Sequence, residues 1–394
     1  MPLKYSKLLN GLGLAALLMS VASVALAASV TEEFQFAKGA QIEIENLVGR
    51  VKVMPADGAE AYLKASVIGE SEELVKLVRF ELKDQGKTQR LEVLYPKDHR
   101  KLYFETSGGK TSSNVSYHGE KYKISSYQRS GAEALQVDLE LFLPKGSKVQ
   151  NLKNLVGEVE LAAVDADIRV DVASGSIRST DGHGRLVADT GSGSVFVTNH
   201  EGETSADTGS GEVRIETVLG NVDADTGSGS VRVSGVSGNV SVDTGSGNVD
   251  LQQIIGDRIS ADTGSGSVKA RDIRGSFQAD TGSGSVRVEQ IADADSVDIG
   301  TGSGDVRLRG DLGGVKRLKL STGSGDVEVH STSTPNMSLT IKVSSGDIDV
   351  DIPGMTAIKS TKTRLEARLG DGSGKGVIGT GSGDVVLRLD AGSN

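Results

Sequence analysis

Small apolar residues recur through the second half of the chain at a fixed interval, each flanked by polar neighbours. Over 226–242, Val231 and Val233 alternate with Ser230 and Arg232, Val236 follows, and Val240 and Val242 alternate with Ser241 and Asp243. Period-two alternation marks a half-buried β-strand, so this stretch predicts two strands with one apolar face each. Gly238 stands between them and Thr244-Gly245-Ser246-Gly247 follows, which predicts two corners. One recurring set of inward positions is Val195, Val213, Val231, Val249, Val268, Val286, Val306 and Val327. Another is Ala188, Ala206, Ala224, Val242, Ala261 and Ala279. Valine facing alanine predicts a thin interior.

The corner block DTGSGSV opens at Asp189, Asp225, Asp262 and Asp280, with DTGSGEV at Asp207 and DTGSGNV at Asp243. Looser copies centre on Thr301, Thr322, Val343 and Thr380, and degenerate ones on Asn154, Val172 and Thr361. The interval is 18 residues over most of the array and drifts to 21 toward the C-terminus. A near-constant period of this size predicts an all-β parallel β-helix, or β-solenoid, with one repeat per coil. About thirteen such coils make a rod of roughly 60 Å. Parallel crossovers favour a right-handed winding.

Residues 28–150 read differently. Eleven of the fourteen Phe and Tyr residues lie between Phe34 and Phe142, so this part can pack rings that the thin repeat cannot. Alternation at Gln41-Ile42-Glu43-Ile44 and over 137–142 predicts strands. Residues 70–79 (ESEELVKLVR) predict one helix with Ser71 as its N-cap. The expected division is an N-terminal mixed β cap over 28–150 and a solenoid over 151–394.

Residues 1–27 have the form of a secretory signal peptide: Lys4 and Lys7, an uncharged apolar run, and Ala25-Leu26-Ala27 before the expected cleavage. Its removal takes two lysines, so the net charge moves from −10 to −12. An acidic chain without a long basic stripe argues against nucleic acid as a partner. The chain has no Cys, which excludes disulfides, thiolate metal sites and a cysteine nucleophile.

The run VDLELFLPKGSKVQNLKNLVGEVEL (137–161), followed by repeated TGSGSV and TGSGDV coils, resembles the bacterial putative-adhesin family of β-strand-repeat proteins. The resemblance covers Phe34 to Leu389 and implies an exported β-helical protein, located in the periplasm, on the outer cell surface or outside the cell.

Candidate chemistry is sparse. Asp171, Asp189, Asp207, Asp225, Asp243, Asp262 and Asp280 occupy equivalent positions and must stack. Unit charges ~4.8 Å apart repel by roughly 0.9 kcal/mol even in water. Either an Asx-type turn to the amide two residues on, or a row of Ca²⁺ ions, would offset this, and the absence of a calcium-binding nonapeptide favours the turn. The glycine-rich corners lack the strand-to-helix setting of a phosphate loop, and the five histidines have no metal-ligand spacing. No cofactor is expected. The rod reads as a non-enzymatic adhesin, or as a binding or scaffold protein of the envelope. The alternative is a polysaccharide-acting β-helix enzyme, whose cleft-building loops the uniform coils do not supply.

The remaining candidate is the basic, tyrosine-rich segment 97–129. Lys101, Tyr103, Tyr117, Lys121, Tyr122, Lys123, Tyr127 and Arg129 are its candidate ligand-binding residues. A basic patch on an acidic protein selects anionic ligands, and Tyr offers contact area at low entropy cost. The expected partner is an anionic envelope or surface polymer, or another protein.

Overall fold

The computed structural model describes residues 28–104 and 112–390. The expected signal peptide and Lys110 of the basic segment lie outside the described residues. The described chain is β-structure apart from a single helical turn, Glu72–Val75, where the Ser71 side chain accepts a hydrogen bond from the Leu74 N–H at 3.2 Å. The helix expected over 70–79 is only one turn long, and residues 76–78 turn the chain into the edge strand Arg79–Gln85.

Parallel strands build two long ladders whose apolar faces meet. In the first, Val195–Glu201, Val213–Leu219 and Val231–Ser237 are successive strands, with Val195 beside Val213 and Val213 beside Val231. In the second, Leu186–Ser192, Thr204–Thr208 and Val222–Thr226 bring Ala188, Ala206 and Ala224 into line. Partners here stand 18 residues apart. Val249–Thr263 and Val268–Thr281 run unbroken from the first ladder round into the second, so the sheet is open and turns at its corners without closing into a barrel. The inward valines of the first ladder are all 1 % exposed or less, as alternation required.

The corner chemistry explains the TGSG block. The Thr226 hydroxyl donates to the Gly211 carbonyl at 3.1 Å and accepts from the Gly229 N–H at 3.1 Å. The same pair of bonds recurs at Thr208, Thr244, Thr263, Thr281 and Thr301. A Cβ on Gly229 would lie 1.5 Å from the Gly211 carbonyl oxygen. Close approach of stacked backbones, rather than a positive φ, therefore demands glycine there. A further bend was not legible in the pattern: Asp181, Asn199, Thr217, Gly235, Gln253 and Asp272 form a column of left-handed residues, with φ between 54° and 66°.

Parallel pairing crosses the boundary expected at residue 150. Gln41–Val48 and Val51–Pro55 already lie beside Ser147–Val156 and Val159–Ala162, with Ile44 against Leu152 and Val53 against Leu161. Residues 56–146 are thus an insertion between adjacent coils. Within it, Glu133–Leu143 and Thr88–Leu94 extend the two ladders by one strand each. Antiparallel strands Tyr62–Gly69, Ala28–Gln35 and Arg79–Gln85 complete this end. The Phe34 and Phe80 rings meet across the two edge strands at 5.2 Å.

The C-terminal end departs from sequence order. Arg317–Thr322 pairs with Gly374–Ser382, which in turn pairs with Met337–Ser345. Likewise Val385–Leu389 lies between Val327–Ser331 and Ile348–Asp351. The final coil is therefore inserted between two earlier ones. Thr361 centres no coil, because Thr356–Thr361 and Arg364–Leu369 form an antiparallel hairpin on the outer side of Met337–Ser345. The physical reason is corner matching: TGSGDV opens identically at Thr322 and Thr380, and the Thr380 hydroxyl donates to the Gly325 carbonyl at 2.8 Å. At Val343 that hydroxyl is missing.

Candidate functional site

The basic segment folds into a small sheet on the inserted region. Ser112–Tyr117 and Glu120–Ser125 form a hairpin through His118 and Gly119, whose φ values of 48° and 82° suit a two-residue turn. Lys101–Tyr103 runs parallel to Glu120–Ser125 and places Lys101 directly beside Lys123. Leu102 and Tyr103 then pair with Glu133 and Ala134, which ties the small sheet to the first ladder.

Alternation divides the eight candidates. Tyr117 and Tyr122 point inward, and Tyr103, although on the face of Lys101 and Lys123, is covered as well, each about 3 % exposed. The Tyr117 hydroxyl donates toward the Val93 carbonyl at 2.7 Å and the Glu45 carbonyl at 3.1 Å, and its ring packs edge-on to Tyr95. Burial, then Tyr95 and Glu45 nearby, pushes the Tyr117 phenol well up. These three tyrosines are core residues in this structure and offer a ligand no contact area, which corrects that part of the expectation. Tyr127 and Arg129 hold each other: the guanidinium sits 4.7 Å over the ring and Nε donates to the phenol oxygen at 2.6 Å. Lys101, Lys121 and Lys123 remain exposed on the outer face. Among the described residues none of the three enters an ion pair, whereas the neighbouring Arg100 is held by Glu120 at 2.9 Å. Like charges side by side on adjacent strands are destabilising, so the fold does not require this arrangement. The Lys121-Tyr122-Lys123 alternation was the signal that could have separated ligand-facing from core residues.

The aspartate column forms as expected, with Asp189, Asp207, Asp225, Asp243, Asp262 and Asp280 in direct register. The Asx-turn explanation does not hold: the Gly227 N–H donates instead to the Thr208 carbonyl of the neighbouring strand, and Gly209, Gly245 and Gly264 repeat this. Partial burial, followed by neighbouring Asp charges, holds the Asp207, Asp225 and Asp262 carboxyls above their ordinary range. Among the described residues no group of three or more His, Asp or Glu side chains is placed to hold a metal ion. Two shallow clefts of about 150 and 410 Å³ open on the outer face of the first ladder, between charged side chains that include Lys269, Arg287, Glu289 and Arg307.

Residues 236–376 match the family model Toastrack DUF4097. The chain carries a Toastrack DUF4097 domain. That match spans coils of both ladders and the outer hairpin, and it agrees with the family resemblance drawn from the repeats. Segment 97–129 lies outside the Toastrack match. No curated protein matches the chain in sequence. Among solved structures, a putative adhesin from Parabacteroides distasonis is similar at 12 % identity and a TM-score of 0.33, covering 77 % of this chain and 97 % of that one. A putative adhesin from Parabacteroides merdae follows at 10 % identity and 0.28, covering 70 % and 96 %. A putative lipid binding protein from Parabacteroides distasonis gives 12 % and 0.23, covering 91 % and 97 %. Similarity at that level transfers neither ligand nor activity to this chain. No helix among its described residues is long and apolar enough to cross a membrane.

Proposed function

We propose that this is an exported, non-enzymatic binding protein of the bacterial envelope or cell surface, in which a right-handed rod of about 18 residues per coil carries a recognition element near its N-terminal end. The observation that supports it is the row formed by Lys101, Lys121 and Lys123: exposed, adjacent, and without an ion pair among the described residues. The sheet beneath is anchored by Leu102, Tyr117, Tyr122 and Ile124, so the three ammonium groups are displayed on a supported surface. A fixed row of cations suits an extended polyanion, and the aspartate column repels the same ligand along the second ladder. The ligand class is therefore an anionic envelope or surface polymer.

Binding of the full chain to an immobilised anionic polysaccharide such as polygalacturonate, followed as salt rises, tests this. The triple substitution K101A/K121A/K123A should abolish binding with an unchanged melting temperature, and the parent's binding should weaken with salt. Unchanged binding by the triple variant would sink the assignment of the site. Cleavage of the polymer by the purified protein would sink the non-enzymatic reading.

A further inference from the structure

The C-terminal end of the second ladder carries a charged patch that neither the repeat nor the lysine row accounts for. Arg317–Thr322, Gly374–Ser382, Met337–Ser345, Arg364–Leu369 and Thr356–Thr361 lie side by side there, in that order. Their outward positions hold seven Lys or Arg and one acid, Glu366. The adjoining acids change this little. Asp298 on the preceding strand holds Lys319 at 3.1 Å, and Asp371 in a turn at the edge accepts from the Ser373 N–H at 2.8 Å. With Lys362 in the hairpin turn, the patch has eight bases against these three acids. Asp347 and Asp384 lie outside it, past the corner that leads into the first ladder.

We infer that this patch binds an anionic lipid surface and seats the C-terminal end of the rod on a membrane. The cations form two rows. Arg317 stands directly beside Lys375, and Arg368 follows on the same row past Ser338. Four residues along the strands, about 13 Å away, Lys342 stands directly beside Arg364. Like charges at such positions destabilise a sheet, so packing does not explain them. Among the described residues Arg317, Lys342, Lys359, Arg368 and Lys375 enter no ion pair. Between the rows lie Thr340 and Val377, the latter 36 % exposed. Ile358, on the outermost strand, is 65 % exposed. One extended polymer can follow a single row, whereas a plane of headgroups meets both rows across all five strands, about 19 Å, at once. Exposed apolar side chains among cations fit the boundary between headgroups and acyl chains, and a hydrophilic polymer gives them nothing to contact. An anionic surface favours each nearby Lys or Arg by about fivefold in partitioning. The same surface repels the aspartate column, so the rod makes contact by its end.

Vesicle flotation tests this, using the chain from Ala28 onward, which holds every element described and leaves out the apolar run before it. It should bind vesicles of phosphatidylglycerol and phosphatidylcholine at low salt, release them as salt rises, and ignore pure phosphatidylcholine. R317Q/K342Q/R368Q/K375Q should weaken that binding by roughly a hundredfold or more. Its melting temperature should equal or exceed the parent's, since two like-charge pairs are relieved. K101A/K121A/K123A should bind the vesicles as the parent does, so failure of the lysine row as a polymer site leaves this test intact. A parent that does not bind the anionic vesicles overturns the inference, as does full binding by the quadruple variant or equal binding to pure phosphatidylcholine. Polygalacturonate binding that is lost in the quadruple variant, with no vesicle binding by the parent, would give the patch to a polymer instead.

Discussion

Asp225 shows how a single position bears the cost of repetition. Its carboxyl is held above the ordinary carboxylate range, first by partial burial and then by Asp243 and Asp223. A raised carboxyl contributes stability while it is protonated, below its unfolded-state pKa, and that contribution is lost as pH rises through the folded-state pKa. At neutral pH the charged column thus opposes folding. D225N should melt higher than the parent at neutral pH, by at most about 1 kcal/mol since the group is largely exposed. The gap should close as pH falls below the ordinary carboxylate range. A gap that persists in acid, or a destabilised variant, would show that the carboxylate is held by something other than its neighbours. Calorimetry across pH decides between these.

The corner is the element on which the array depends. Thr226 bonds forward to Gly229 and back to Gly211, while Gly229 leaves no room for a side chain above the Gly211 carbonyl. G229A should therefore cost about 3 kcal/mol or more, because a Cβ would force the stacked backbones apart. The adjacent exposed Ser228 makes no such contact, so S228A should stay within about 0.5 kcal/mol of the parent. Equal losses in chemical denaturation would mean that the corner tolerates expansion. The left-handed column had only a broken sequence signature: Asp181, Asn199, Gly235 and Asp272 are types that adopt such a φ, whereas Thr217 and Gln253 are not. Stacking repeats one backbone conformation from coil to coil and carries residues that would not adopt it alone.

At the scale of the whole molecule, the ends differ from the middle. The final coil, 374–389, has a neighbour on both sides in both ladders. Truncation after residue 370 should thus unpair two coils rather than one. Hydrogen exchange should show lost protection in Arg317–Thr322 and Val327–Ser331 as well as in Met337–Ser345 and Ile348–Asp351. If protection fell in the outer coil alone, 374–389 would not hold the position described. Full protection in the truncated chain would mean that the outer coil slides inward to pair directly with 317–331.

Alternation and period were enough to determine the strands, their inward valines and alanines, the corners and the parallel stack, because each coil meets a near-copy of itself and local preference agrees with its neighbour's. They also placed Asp225 over Asp207 and the Thr hydroxyls indoors. Only the tertiary structure decided where the order of stacking breaks, since Thr322 and Thr380 open the same hexapeptide and nothing local says which lies beside which. It also decided the site. Tyr117 and Tyr122 are as fit for a ligand as for a core, and their rings turn inward because the ends of two ladders leave an apolar gap for them to fill.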